Sequence, residues 1–124
     1  MNRVLVVDDN LDILYLVQMI LKSHGFEVLV SPKGEDVLTN TESFCPQVIL
    51  LDVFLSGYDG REICKELKAN PKTKDIPIIM FSAHAKRDEA MKECNPDDFI
   101  AKPFEVNELV QKVNYQLISK DIMN

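Results

Sequence analysis

The sequence predicts one α/β domain, a parallel β-sheet with helices on both faces. Short runs of β-branched and aliphatic residues alternate with longer amphipathic stretches, and each kind of segment occurs five times. This alternation is typical of βα units, which place their strands in parallel. The 124 residues leave room for one hydrophobic core, because domains usually contain about 100–150 residues. Hydrophobic residues make up 46% of the chain and charged residues 27%, which favours a folded protein over a disordered one.

The first part of the chain contains two βα units. Residues 4–7 form a continuous apolar run, which is typical of a strand covered on both faces. The next segment carries its apolar residues at helical spacing, and Gly25 is expected to end this helix. Residues 27–30 are predicted as the second strand. Ser31-Pro32 is expected to cap a weaker helix over residues 35–41.

Three further units follow the same pattern. Residues 48–51 are predicted as the third strand, and a loop over residues 53–59 leads to a helix that ends at Asn70-Pro71. Residues 78–81 are predicted as the fourth strand. The last predicted elements are a short helix over residues 86–94, a strand over residues 99–101 and a helix over residues 106–117.

Polar residues follow four of these strands. In a doubly wound sheet, ligands bind outside the carboxyl ends of the strands. This rule selects Asp8-Asp9, Asp52, Ser82 and Lys102. Carboxylates that converge there would repel one another, so at least one pKa would rise unless a cation neutralises them. Oxygen ligands of this kind suit Mg²⁺, so we expect a magnesium site.

Asp52 is the residue best placed to act as a nucleophile toward a phosphoryl donor, because a carboxylate can form an aspartyl phosphate. Mg²⁺ and the Lys102 ammonium would stabilise the oxygens of the transferring group, and the Ser82 hydroxyl could donate a hydrogen bond to one of them. These residues together predict phosphoryl transfer.

The order of these residues resembles the receiver domain of two-component response regulators over essentially the whole chain. The matching motifs are Asp8-Asp9, Leu50-Leu51-Asp52, Asp59-Gly60, Ser82-Ala83 and Lys102-Pro103-Phe104. The resemblance implies a flavodoxin-like three-layer sandwich with a five-stranded parallel sheet in the order 2-1-3-4-5.

The resemblance also implies roles for single residues. Asp52 would be the phosphoacceptor. Asp8, Asp9, Asp52 and the backbone carbonyl of Phe54 would bind Mg²⁺, for which Mn²⁺ could substitute. The Ser82 hydroxyl, the Ala83 backbone and Lys102 would contact the phosphoryl group.

Two further implications concern residues near the fifth strand. Phe99 would be the aromatic switch residue whose rotamer follows Ser82. The Lys102–Pro103 peptide bond would be cis.

The chain departs from the family pattern at several positions. Phe54 stands where relatives are commonly polar, so we expect its ring to hinder water and slow autodephosphorylation, with His84 able to orient a water. Leu55-Ser56 stands where Met-Pro is usual, which predicts a less rigid turn. Asn95-Pro96 replaces the common Gly-Ala after a segment about two residues short, which places a standard dimer in doubt.

The expected function is phosphorelay signal transduction by a single receiver domain over residues 1–124, with a core over about 2–119 and no output domain. A histidine kinase or phosphotransfer protein would supply the phosphoryl group, and a downstream effector protein would receive the signal. The domain would not be an enzyme in its own right. It would be a monomer or a weak, phosphorylation-dependent dimer.

Composition narrows the range of possible binding partners and of cellular locations. The net charge of −6 argues against direct nucleic-acid binding. No apolar run has the length of a signal peptide or of a membrane span. Three widely spaced cysteines without a Cys-x-x-Cys pair predict a reduced, cytoplasmic protein.

Alternative interpretations remain open at this point. Asp8-Asp9 or Ser82 could merely cap helices, and Lys102 could be a solvated loop residue. An aspartyl-nucleophile phosphohydrolase is a second functional class, although Phe54 occupies the position of its usual second aspartate. A non-catalytic, ligand-binding flavodoxin-like module is a third, although Asp8-Asp9 would repel a phosphate there.

Overall fold

A computed structural model gives the structure of the protein over residues 2–83 and 94–123, with side chains described in 2–82 and 94–118. The helix predicted over residues 86–94 falls outside this part of the chain except for Cys94. The elements in chain order are β1 (Arg3–Val7), α1 (Leu11–Ser23), β2 (Glu27–Ser31), a 3-10 turn (Gly34–Asp36), α2 (Val37–Phe44), β3 (Val48–Asp52), β4 (Phe54–Leu55), β5 (Tyr58–Asp59), α3 (Gly60–Ala69), β6 (Ile78–Ala83), β7 (Asp98–Lys102) and α4 (Val106–Met123).

Five parallel strands form the central sheet in the order β2-β1-β3-β6-β7. Because β6 and β7 are the fourth and fifth strands of this sheet, the predicted order 2-1-3-4-5 is confirmed. The direction of winding reverses at β1, which pairs with β2 on one side and with β3 on the other. The carboxyl ends of β1 and β3 therefore lie side by side at the crevice where ligands bind in this class of sheet.

The apolar residues of the sheet divide between two core layers. In β1, Val4 and Val6 pack into one layer with α1 and α4, whereas Leu5 and Val7 pack into the other with α2 and α3. This division explains the continuous apolar run at residues 4–7, since successive side chains of a strand point to opposite faces and both faces are covered. In the part of the chain that the structure describes, none of the helices has the length and apolar content needed to cross a membrane.

The structure corrects the sequence interpretation at Ser31. Instead of capping a helix, Ser31 is the buried last residue of β2, where it pairs with Val7. The 3-10 turn begins after Lys33, and no side chain caps it. The physical reason is Pro32, which disfavours helical backbone at the residue before it and so keeps Ser31 extended.

The segment after β3 is more ordered than the predicted loop over residues 53–59. Phe54–Leu55 and Tyr58–Asp59 pair as a short antiparallel hairpin, β4–β5. Its turn contains Gly57 with a φ of +76°, a conformation that suits glycine. The hairpin runs directly into α3, so Asp52 is followed by a defined structure.

Candidate functional site

Three aspartates converge at the carboxyl ends of β1 and β3. Asp8 and Asp9 directly follow β1, and Asp52 is the last residue of β3. One carboxylate oxygen from each lies within 4.8 Å of those of the other two. Asp8 is 0% exposed and Asp52 is 6% exposed, whereas Asp9 is more accessible than either. The sequence therefore predicted correctly which acidic residues meet.

Lys102 reaches this cluster from β7, two strands away from β3. Its Nζ lies 2.6 Å from Oδ2 of Asp8 and 3.5 Å from Oδ2 of Asp52. The same ammonium lies 4.6 Å from the centre of the Phe81 ring, a cation–π distance. Lys102 is thus a member of the cluster and not a solvated loop lysine, and its peptide bond to Pro103 is cis as expected.

The charges of the cluster do not balance. Three carboxylates face one ammonium, which gives a net charge of −2 when all four groups are ionised. Burial, reinforced by the negative charge of Asp8 and opposed by Lys102, raises the pKa of Asp52 from 3.8 to about 7. The excess negative charge and the all-oxygen donor set fit a hard divalent cation such as Mg²⁺ or Mn²⁺.

Asn10, and not Asp8 or Asp9, caps helix α1, so the two aspartates after β1 can take part in the acidic cluster. Its side chain caps α1 by accepting hydrogen bonds from the main-chain N–H groups of Asp12 and Ile13, at 3.0 and 3.2 Å. Asp8 in turn accepts a hydrogen bond from the N–H of Asn10 at 2.9 Å. The alternative in which Asp8-Asp9 merely caps the helix is therefore wrong.

The hairpin after Asp52 is fastened to the start of α3. Asp59 accepts a hydrogen bond from the main-chain N–H of Arg61 at 2.9 Å, and the Arg61 guanidinium lies 2.7 Å from the same carboxylate. That guanidinium also lies 5.6 Å from the centre of the Phe54 ring. Phe54 itself is 48% exposed and lies two residues after Asp52.

Gly60 explains the Asp59-Gly60 motif. A Cβ at Gly60 would overlap the main-chain carbonyl oxygen of Asp52, so only glycine fits there. The N–H of Gly60 donates to the carbonyl of Val53 at 2.6 Å. The start of α3 is thus packed directly against the backbone that carries Asp52.

Ser56 is a site residue whose role the sequence did not indicate. Its main-chain N–H and its hydroxyl both donate to Oδ2 of Asp9, at 2.9 and 2.7 Å. We expected the absence of proline here to leave the turn less rigid. The structure instead shows two hydrogen bonds from this turn to Asp9. The sequence did contain a chemical signal for this contact. A serine supplies a main-chain N–H and a hydroxyl, whereas the usual proline has neither donor.

Ser82 and Ala83 end β6 at the same edge of the sheet, opposite Ala101 and Lys102 of β7. Ser82 is buried, and it lies within a strand instead of capping a helix. Phe99 is also buried and packs in the core layer formed with α2 and α3. His84, predicted to orient a water, lies outside the described residues.

Comparison with known proteins gives a consistent result. The family model of the response regulator receiver domain matches residues 4–114. The DNA-binding response regulator MtrA of Mycolicibacterium paratuberculosis is 33% identical over 122 residues, which are 97% of this chain and 53% of that protein. The chain therefore spans about half the length of this curated relative.

Solved structures are similar over the whole fold. The receiver domain of NtrX from Brucella abortus matches with a TM-score of 0.83 and 30% identity, covering 92% of this chain and 97% of that chain. A CheY-like response regulator receiver domain protein from Methanospirillum hungatei matches with a TM-score of 0.91 over 100% of this chain and 99% of that chain. Since the second pair is 23% identical, that likeness supports the fold alone.

Proposed function

Because the chain belongs to the receiver-domain family of response regulators, we propose that its Asp52 accepts a phosphoryl group from a phosphohistidine of a histidine kinase or phosphotransfer protein. The observation that carries this proposal is the convergence of Asp8, Asp9, Asp52 and Lys102 at one edge of the sheet. A carboxylate oxygen of Asp52 attacks the phosphorus, the bond from phosphorus to the histidine nitrogen breaks, and the imidazole leaves.

The acidic cluster is the proposed divalent-cation site. Asp8, Asp9, Asp52 and the main-chain carbonyl of Phe54 would hold Mg²⁺, or Mn²⁺ in its place. The bound cation would neutralise charge on the transferring phosphoryl group. Its binding would also offset the repulsion among the three carboxylates and so would favour the ionised, nucleophilic form of Asp52 at neutral pH.

Three residues would bind the phosphoryl group on Asp52. Lys102 has its ammonium 3.5 Å from Asp52 and can move from Asp8 toward a phosphoryl oxygen. The Ser82 hydroxyl and the Ala83 backbone lie at the same edge of the sheet. Movement of Ser82 toward the phosphoryl group would let Phe99 change rotamer, which biases the equilibrium between two conformations.

Phe54 is proposed to set the lifetime of the aspartyl phosphate. Its half-exposed ring is apolar and has no group that could activate a water, so we propose slow autodephosphorylation. The same absence argues against a phosphohydrolase, which would need an acid–base residue at this position. We therefore propose a phosphoacceptor that is not a hydrolytic enzyme.

The output is proposed to be a protein contact. DNA binding is named for the relative MtrA as a whole protein, of which this chain matches about half. With a net charge of −6, we propose that the receiver unit contacts an effector protein and not nucleic acid. The predicted cytoplasmic location and the predicted monomer or weak dimer stay predictions.

Incubation with a small-molecule phosphodonor tests the proposed chemistry. Intact-mass analysis should find one added phosphoryl group per chain when Mg²⁺ is present and none when a chelator removes it. Hydroxylamine should release the group, because an acyl phosphate is labile to this nucleophile whereas a serine or threonine phosphate is not. An adduct that forms without divalent cation, or that survives hydroxylamine, would contradict the proposal.

A further inference from the structure

Ser56 connects two loops that are distant in the sequence. It lies in the turn between β4 and β5, and its two donors meet Oδ2 of Asp9, 47 residues earlier in the chain. Both distances, 2.9 and 2.7 Å, are those of good hydrogen bonds to a charged acceptor. One carboxylate oxygen of Asp9 is therefore held by two donors from a single residue.

Among the three aspartates, Asp9 is the one whose side-chain orientation depends on Ser56. Asp8 is fully buried and is held by the N–H of Asn10 and by Lys102. Asp52 is the buried last residue of β3. Asp9 is the most accessible of the three, so its side chain would otherwise be free to rotate into solvent.

The chemistry of a carboxylate leaves room for a cation beside Ser56. With Oδ2 occupied by two donors, Oδ1 of Asp9 keeps its lone pairs. Carboxylates that bind metal ions are commonly oriented by such outer hydrogen bonds, whose loss weakens metal affinity by about 10–100-fold. The turn that supplies the donors is itself fixed, because Asp59 and Arg61 fasten the hairpin to α3.

We propose that Ser56 is a positioning residue for divalent-cation binding: it orients Asp9 so that the second carboxylate oxygen faces the cation. The inference rests on the proposed function, in which Asp9 is a cation ligand. It further assigns to the hairpin a role in cation affinity, since Ser56 lies two residues after Phe54, whose carbonyl is a proposed ligand.

Titration of the unphosphorylated protein with Mg²⁺, followed by isothermal calorimetry, tests this inference without any phosphoryl chemistry. Ser56→Ala keeps the main-chain N–H and loses the hydroxyl, so its dissociation constant should rise about 3–10-fold, at or below the lower end of the usual range for outer-shell residues. Ser56→Thr keeps both donors and should bind like the parent. Ser43→Ala is the matched control, because Ser43 is an exposed serine on α2, outside the site.

The other possible results of the titration distinguish failure of the positioning role from failure of the proposed function. Unchanged affinity in Ser56→Ala, with a parent that binds Mg²⁺, overturns the positioning role and leaves the proposed function standing. Tighter binding in Ser56→Ala also overturns it, because it would show that Ser56 competes with the cation for Asp9. A parent that binds no divalent cation contradicts the proposed function and this inference together. Thermal melting of the cation-free variants verifies that each is folded.

Discussion

Lys102 is paired more closely with Asp8 than with the phosphoacceptor candidate Asp52. The Lys102 ammonium lies 2.6 Å from Asp8 and 3.5 Å from Asp52, and Asp8 is fully buried. Lys102, on the last strand of the sheet, therefore provides the counter-charge for the buried carboxylate that directly follows β1. The ion pair joins strands that are not neighbours, so it contributes to the fold as well as to the site.

The first prediction concerns this ion pair. Lys102→Met should lower the free energy of unfolding by about 3 kcal/mol at pH 8 without divalent cation, because it leaves a buried carboxylate without its counter-charge. Urea denaturation measures the loss. Adding Asp8→Asn should restore most of the stability, since the neutral amide has no charge to balance. Strictly additive losses in the double variant would show that the pair is not coupled.

The second prediction concerns pH. Because the pKa of Asp52 is about 7 in the folded protein against 3.8 ordinarily, the folded protein keeps a proton between these pH values that the unfolded chain has released. Without divalent cation, stability should therefore fall as pH rises from about 4 to about 7, and the full cost applies above that window.

Asp52→Asn isolates this contribution. The variant should be more stable than the parent at pH 8 by about 2 kcal/mol or more, and the difference should shrink toward pH 4. Thermal or urea unfolding across this pH range provides the comparison. Equal pH profiles for parent and variant would contradict the raised pKa.

The third prediction concerns the close packing of Gly60. Gly60→Ala should destabilise the protein by about 3 kcal/mol or more and reduce phosphorylation, because the new Cβ must displace the Asp52 backbone. Gly57→Ala is the matched control. An added Cβ at Gly57 would meet open space, but the φ there is positive, so this substitution should cost only about 1–2 kcal/mol. Similar losses for the two variants would mean that the contact with Asp52 is unimportant.

The fourth prediction concerns Phe54. Once the protein is phosphorylated, Phe54→Asn should dephosphorylate several-fold faster, because an amide can hydrogen-bond and orient a water whereas the apolar ring cannot. Phe54→Leu removes the ring but stays apolar, so its decay should remain slow. Decay of the phosphorylated form by intact mass gives the rates, and an unchanged or slower decay in Phe54→Asn would refute the proposed role.

The sequence was sufficient to predict which residues lie close together where the strand topology alone brings them to one place. Asp8, Asp52 and Lys102 each lie at or just after the end of a strand, and parallel strands place their carboxyl ends at one edge, so their proximity follows from the fold. At Ser31 the prediction of a helix cap was wrong, because the proline that follows Ser31 favours an extended backbone there.

The contact between Ser56 and Asp9 could not be predicted in the same way. It depends on the conformation of a hairpin whose strands are two residues long, too short to produce a periodic pattern. Side-chain hydrogen bonds between loops depend on exact turn geometry, which hydrophobic spacing does not encode. The effect of Gly60 on Asp52 is equally a property of close packing.

The most direct test of the central claim is the location of the phosphoryl group. The parent, Asp52→Asn and Asp12→Asn are incubated with phosphodonor and Mg²⁺, and intact masses are compared. Asp12 is a matched control because it is an aspartate in the first turn of α1, outside the cluster. We predict one phosphoryl group on the parent and on Asp12→Asn, and none on Asp52→Asn. An adduct retained in Asp52→Asn, or absent from the parent, would contradict the account.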